Sequence, residues 1–263
     1  MMNDFKMLFL DIDGTIITPD NTIQDSTKKA VAKTKEIGIE TVLATGRPIH
    51  EIAEIGEALN VHSYIGYNGA LAIYRGETIY SEPMDPGSVQ YILDTAAKCG
   101  HELVLYTDNK NYFTAMSSPK VNQFIEVFHL RQNAEYTSEV IGNILGITII
   151  SASDQDGKYY QFDDEIHLSQ VNIPGMGHCF DVIRKQVNKG VGIKFLLDRL
   201  GISPKDAIAF GDGMNDKEML SYVGEGFAMG NAHENLFAYA KHRTTSVTDS
   251  GIYNGLKSLG LWD

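Results

Sequence analysis

The sequence predicts an α/β fold, a doubly wound parallel sheet interrupted by an inserted α+β region. Three observations predict it. Met7-Leu8-Phe9-Leu10 is an apolar run with no polar alternation, the pattern of a strand buried on both faces of a helix-covered sheet. Strand and helix signals then alternate as far as Tyr67, which makes the first half of a doubly wound sheet. After a stretch that mixes hairpins with helices, the same alternation returns at Gly190.

In chain order, Gly14 permits a sharp turn off the first strand, and residues 16–22, with Pro19-Asp20-Asn21, form a loop. A helix follows from about Asp25, with Ala30, Thr34 and Ile37 on one face and Gly38 as its stop. Residues 39–44 are a second buried strand, ending in Thr45-Gly46-Arg47-Pro48. Pro48 suits the first turn of a helix that runs to about Leu59 with Ile49, Ile52, Ala53 and Ile55 inward. Residues 63–67 are a third strand before Asn68-Gly69, and 70–74 with 78–80 form a hairpin turned by Arg75-Gly76.

Residues 82–87 are a Pro/Gly-rich linker, and the pattern changes beyond it. A helix over 88–98, short strands over 103–106 and 112–116, a helix over 119–129, a β-branched run over 144–152, a polar segment and a strand over 178–184 follow. The expected organisation is a first core part at 1–82, an α+β insert at 83–186 and a second core part at 187–263. In the last part, 190–200 is an amphipathic helix with Ile193, Leu196, Leu197 and Leu200 at helical spacing. Residues 206–210 are a buried strand ending in Gly211-Asp212-Gly213-Met214-Asn215-Asp216. A helix to Tyr222, strands over 226–229 and 244–247, a helix over 235–240 and a last helix to Ser258 complete the expected sheet.

The chain has 263 residues, with 34 acidic against 22 basic side chains and a formal net charge of -12. It lacks a polybasic stripe, so nucleic acid and anionic membranes are poor partners. Cys99 and Cys179 are far apart and outside metal-ligand spacing, as expected of two buried free thiols in a reducing compartment. Asp11 interrupts the only candidate leader, so neither a signal peptide nor a membrane span is expected and the protein reads as cytoplasmic.

Three buried strands end in Asp11/Asp13, Thr45/Gly46 and Asp212/Asp216, and Lys189-Gly190 opens the helix that leads to the third. In a parallel sheet such ends lie side by side. Taken singly, Asp-x-Asp is also compatible with a solvated turn, and Thr-Gly-Arg with a plain helix start. Together the carboxylates repel one another and a single Lys cannot neutralise them. Oxygen donors without His or Cys suit Mg²⁺. The ion, a lysine and backbone amides at a helix start bind a phosphoryl group. A carboxylate can attack that group, while a second one protonates the leaving oxygen and then activates water.

The residues quoted resemble the haloacid dehalogenase superfamily of phosphatases. Asp11-Ile12-Asp13-Gly14-Thr15 looks like its first motif, Thr45-Gly46-Arg47 its second, Lys189-Gly190 its third and Gly211 to Asp216 its fourth. The resemblance covers nearly the whole chain. The insert between the second and third motifs, with Tyr67-Asn68-Gly69-Ala70 and Ala228-Met229-Gly230-Asn231-Ala232, resembles the Cof-type branch and its C2 cap. This implies a Rossmann-like core with a cap and a Mg²⁺-dependent phosphatase that passes through an aspartyl phosphate. It implies Asp11 as nucleophile and Asp13 as general acid/base. It implies Mg²⁺ on the Asp11 carboxylate, the Asp13 carbonyl and Asp212, with Asp216 in the outer shell or as an occasional ligand. It implies phosphate held by Thr45, Gly46, Lys189 and Asn215, assisted by the Ile12 amide.

Arg47 either faces substrate or lies on the surface. His178 and Arg184 could face substrate or serve ordinary packing. The expected substrate is a small phosphorylated metabolite such as a sugar phosphate, and the expected state is a monomer or weak homodimer. A phosphomutase of similar fold is the first alternative. A phospho-acceptor signalling domain is a second, opposed by Asp13 and by the insert. An inactive binding protein is a third, opposed by the intact motifs.

Overall fold

The computed structural model describes residues 5–160 and 164–262. β1 (Met7–Leu10) leads to α1 (Asp25–Glu36), β2 (Glu40–Ala44), α2 (Ala53–Leu59), β3 (Tyr64–Gly66), β4 (Leu71–Tyr74) and β5 (Glu77–Ser81). Next come α3 (Pro86–Cys99), β6 (Glu102–Tyr106), β7 (Asn111–Phe113), α4 (Pro119–Phe128), β8 (Asn133–Glu135), β9 (Gly146–Ile150), β10 (Ile166–Gln170) and β11 (Cys179–Arg184). α5 (Lys189–Leu200), β12 (Ala207–Gly211), α6 (Lys217–Tyr222), β13 (Glu225–Ala228), β14 (His242–Arg243) and α7 (Gly251–Ser258) follow. Two compact units result. The first holds the chain up to Arg47, Ile52–Ser81 and the chain from Asn188; the second holds Pro48–Glu51 and Glu82–Val187.

The first unit is built on a sheet in the order β14-β13-β12-β1-β2-β3-β4-β5. It is parallel from β14 to β3, and β4 and β5 extend it antiparallel. β1 sits in the middle because its side chains are apolar on both faces. Leu8 and Leu10 pack with Ala30, Val31, Ile252 and Leu256 of α1 and α7. Met7 and Phe9 pack with Ile193, Leu196 and Leu197 of α5 and with Leu220 of α6. All four β1 side chains are at most 1% exposed, and each contributes about 1.5–3 kcal/mol of burial. Register pairs Leu10 with Leu43 and with Phe210, which sets the carboxyl ends of β2, β1 and β12 side by side.

The second unit has its own sheet, β10-β11-β9-β6-β7-β8, antiparallel except where β7 meets β8. Alternation again divides it. Leu103, Leu105, Ile147 and Ile149 pack against Val89, Ile92 and Ala96 of α3. Val104, Phe113 and Ile150 pack against Val121 and Phe124 of α4.

Several expected elements differ. Ile37 follows the end of α1 and is 51% exposed, because the helix has already turned out of its dihedrals there. The expected helix over 48–59 is a 3₁₀ turn at Ile49–Glu51 followed by α2, and Ala53 is exposed. The break has a tertiary cause: Glu51 accepts from the Arg131 amide at 3.0 Å and from Asn111 Nδ2 at 2.5 Å, so Pro48–Glu51 packs with the second unit. The helix expected over 235–240 is a 3₁₀ stretch, Glu234–Ala238, with only Leu236 buried. The last strand lies at His242–Arg243 and not at 244–247, where the Thr244 and Thr245 hydroxyls bond the carbonyls of Gly251 and Asp249 instead. β8 carries no apolar signal and exists through its pairing with β7. β10 is readable in the alternation of Ile166 and Leu168. Residues 161–163 of the expected polar segment lie outside the described residues. Among the described residues, no helix is long and apolar enough to cross a membrane.

Candidate active site

Asp11 is the first residue past β1, and its amide donates to the Phe210 carbonyl of β12 at 3.0 Å. The chain then coils back on itself. The Ile12 carbonyl accepts from the amides of Ile16 and Ile17 at 2.9 and 2.8 Å. This tight turn buries Asp11, at 6% exposed, and leaves the Asp13 side chain 53% exposed. Gly14 has φ +84°, and a Cβ there would lie 2.3 Å from Asp212 Oδ2. Only glycine meets both demands.

Lys189 opens α5, where Asn188 caps the helix by accepting from the Val191 amide at 3.0 Å. The Lys189 side chain is fully buried. Its Nζ donates to Asp11 Oδ1 at 2.5 Å and to Asp216 Oδ1 at 2.6 Å. Asp216 Oδ2 accepts from the amides of Asp212 and Gly213 at 2.9 and 3.0 Å, which folds the loop after β12 around it. Asp212 Oδ1 accepts from the Thr15 hydroxyl at 2.9 Å.

The carboxylates of Asp11, Asp212 and Asp216 offer oxygens within 4.8 Å of one another. Burial pushes the Asp11 carboxyl well above its usual range; Asp216 adds to this, and Lys189 partly opposes it. Burial likewise lifts Asp212 to about 6, with the Thr15 hydroxyl opposing and Asp216 adding. Burial alone would lower the Lys189 ammonium, but Asp11 and Asp216 outweigh it and hold it above the usual lysine range. The cluster therefore has an excess of negative charge that one lysine does not cancel. It fits a hard cation: the donors are all oxygen, and both Asp216 oxygens already accept protein hydrogens, whereas among the described residues Asp11 and Asp212 each have only one oxygen so occupied and could hold an ion with the other.

At the end of β2 the Thr45 amide donates to the Ile65 carbonyl at 2.8 Å. The Thr45 hydroxyl accepts from the Arg47 amide at 3.1 Å. Arg47 makes a bidentate pair with Asp13, Nε to Oδ2 at 2.8 Å and the terminal nitrogen to Oδ1 at 2.5 Å. Neither role expected of Arg47 from the sequence includes this contact. Asn215 Nδ2 donates to Asn68 Oδ1 at 3.1 Å. Asp11, Ile12, Asp13, Thr45, Gly46, Arg47, Lys189, Asp212, Asn215 and Asp216 all belong to the first unit.

His178 and Arg184 belong to the second unit and lie outside the carboxylate cluster. The His178 carbonyl accepts from the Ser151 hydroxyl at 2.6 Å. The Arg184 guanidinium donates to the carbonyls of Glu82, Pro83 and Leu145, so it staples the two ends of the second unit. The sequence does not single out Asn231. Its Nδ2 donates to the Gly14 carbonyl and its Oδ1 accepts from the Val247 amide, both at 2.8 Å, bracing the turn behind Asp13. The only signal for it is its place in Ala228-Met229-Gly230-Asn231-Ala232.

A family model described as haloacid dehalogenase-like hydrolase matches residues 8–256. The Bacillus subtilis protein YkrA is 32% identical over 260 residues, 98% of this chain and 99% of its own. An HMP-PP phosphatase of Escherichia coli is 27% identical over 245 residues, 90% of this chain and 88% of its own. A solved structure of a hypothetical protein from Geobacillus kaustophilus superposes with a TM-score of 0.89 at 30% identity, over 98% of this chain and 100% of that one.

Proposed function

The chain belongs to the haloacid dehalogenase-like hydrolases, in their Cof-type branch, and on that premise we propose a Mg²⁺-dependent phosphatase of small phosphorylated metabolites that works through a phosphorylated Asp11. The observation that carries this reading is the buried chain Asp11–Lys189–Asp216, with Asp212 beside it, at the adjoining ends of β1 and β12. The phosphatase name of the Escherichia coli relative supports it. Mg²⁺ would be held by the Asp11 and Asp212 carboxylates and the Asp13 carbonyl, with Asp216 behind them, and would supply a Lewis acid toward the phosphoryl oxygens.

The chain's own groups account for the rest. Lys189 holds Asp11 Oδ1 and so fixes the carboxylate at the end of β1. Asp11 forms an O–P bond while the P–O bond to the leaving group breaks. Asp13, released from its bidentate pair with Arg47, gives that leaving oxygen its proton. Asp13 next takes a proton from water, whose oxygen attacks the phosphorus and releases Asp11 and inorganic phosphate. Lys189, the Thr45 hydroxyl, the Gly46 and Ile12 amides and Asn215 bind the phosphoryl oxygens, where preorganised donors are worth most. The first panel to test holds sugar phosphates, as expected from the sequence, together with HMP-PP, the substrate in the relative's name.

The test is sustained release of inorganic phosphate from such a panel, repeated with Asp11→Asn and with excess chelator. The wild-type protein with Mg²⁺ should turn over many equivalents, and Asp11→Asn should lose several orders of magnitude. Release that persists in Asp11→Asn at the wild-type rate would remove Asp11 from the chemistry. Transfer of phosphate within the substrate, without release, would mark a mutase instead.

A further inference from the structure

Asn68 has no part in the proposed chemistry, yet its backbone is held in a costly state. Tyr67 and Asn68 have φ of 54° and 53°, and neither is glycine. Successive left-handed non-glycine residues persist only where their surroundings fix them, and such strain collects at functional sites.

The surroundings are the first unit's strand ends. The Asn68 amide donates to the Thr45 carbonyl at 3.1 Å. The Tyr67 amide donates to the Arg47 carbonyl at 3.3 Å. A Cβ on Gly46 would come within 3.1 Å of Asn68 Oδ1 and 3.2 Å of Nδ2, so the Asn68 carboxamide lies directly over that glycine. Gly69 presses on the start of α5, where its Cβ would lie 2.1 Å from the Asn188 carbonyl oxygen. Across the sheet end, Asn68 Oδ1 accepts from Asn215 Nδ2 at 3.1 Å.

Thr45, Gly46, Lys189 and Asn215 are the phosphate ligands of the proposed phosphatase, and a role for Asn68 rests on that assignment. Asn215 is exposed on a short 3₁₀ turn, where an amide samples several rotamers unless something holds it. One Nδ2 hydrogen bound to Asn68 fixes the amide plane and leaves the second for a phosphoryl oxygen. We propose that Asn68 is a positioning residue for phosphate: it orients Asn215 and seats the Thr45-Gly46 turn, so donors from β2 and from the loop after β12 converge on one anion. The left-handed backbone is what aims its carboxamide at both.

Asn68→Gly separates this role from a structural one. Glycine adopts φ near 53° without strain, so melting temperature should hold or rise. The wild-type protein should bind inorganic phosphate by calorimetry in the presence of Mg²⁺. In Asn68→Gly that affinity should fall about tenfold, and kcat/KM should fall by a similar factor. In the Asn215→Ala background, Asn68→Gly should add less than about threefold, since both act on one contact. Phosphate affinity in Asn68→Gly equal to wild type overturns the proposal. So does full additivity with Asn215→Ala, or a loss of activity that tracks a fall in melting temperature. A wild-type protein that releases no phosphate from the substrate panel overturns the phosphatase reading itself, and the role of Asn68 with it.

Discussion

At Lys189 the fold buries an ammonium completely and surrounds it with carboxylates. A buried pair is costly to assemble and costlier to break, because the remaining charge has no water to turn to. Lys189→Met should therefore cost about 3–5 kcal/mol in denaturant unfolding, well beyond the usual effect of a surface change. A loss below about 1 kcal/mol would mean that water or a cation already screens Asp11 and Asp216. The same carboxylates set a pH dependence. Asp212 is raised from 3.8 to about 6, and Asp11 is raised as well. Across that window the folded metal-free chain keeps protons that the unfolded chain releases, so its stability falls as pH rises. Melting of the chelated protein should decline from about pH 4 to above pH 6, and Mg²⁺ should remove the decline by standing where the protons stood. A chelated protein that gains stability over the same range would contradict the placement of those protons.

At the scale of elements, the decisive piece is the turn that leaves β1. Gly14 is its pivot, with positive φ and no room for a side chain against Asp212. Asn231 and Thr15 brace it from two sides. Gly14→Ala should leave the sheet intact, since β1 is secured by its four buried side chains. It should displace Asp212 and lower kcat/KM by about a hundredfold, as small misplacements of reacting groups do. Calorimetric titration with Mg²⁺ should show weakened binding in a protein whose circular dichroism is unchanged. Normal Mg²⁺ affinity in that variant would place the cation elsewhere than at Asp212.

For the whole molecule, the chain passes between its two units at 47/48, 51/52, 81/82 and 187/188, twice as often as one simple insertion requires. We propose that the second unit is the cap that selects the leaving group, since the residues assigned to phosphate leave the rest of the substrate unread. Replacing 82–187 by a short Gly/Ser linker should lower kcat/KM for the best metabolite far more than for p-nitrophenyl phosphate. Equal loss on both, in a core shown to fold by circular dichroism, would reduce the second unit to a general cover. The same variant strips Glu51 of its bonds to Arg131 and Asn111, so Glu51→Gln within the complete chain is the proper control.

The sequence by itself determined the central strands of the sheet and the groups at their ends. An apolar run without alternation has one stable home, between two helical layers, and Asp11, Thr45 and Asp212 each follow such a run. The helix stop at Gly38 and the helix start at Pro119 were local as well, because backbone freedom there depends on the residue itself. Tertiary structure decided the rest, and each case has the same cause. The break at Ile49–Glu51, the pairing that creates β8, the Arg47–Asp13 pair and the Asn68–Asn215 contact depend on partners tens to hundreds of residues away. A polar side chain carries no sign of which distant donor or acceptor will satisfy it, whereas an apolar one needs only to be buried.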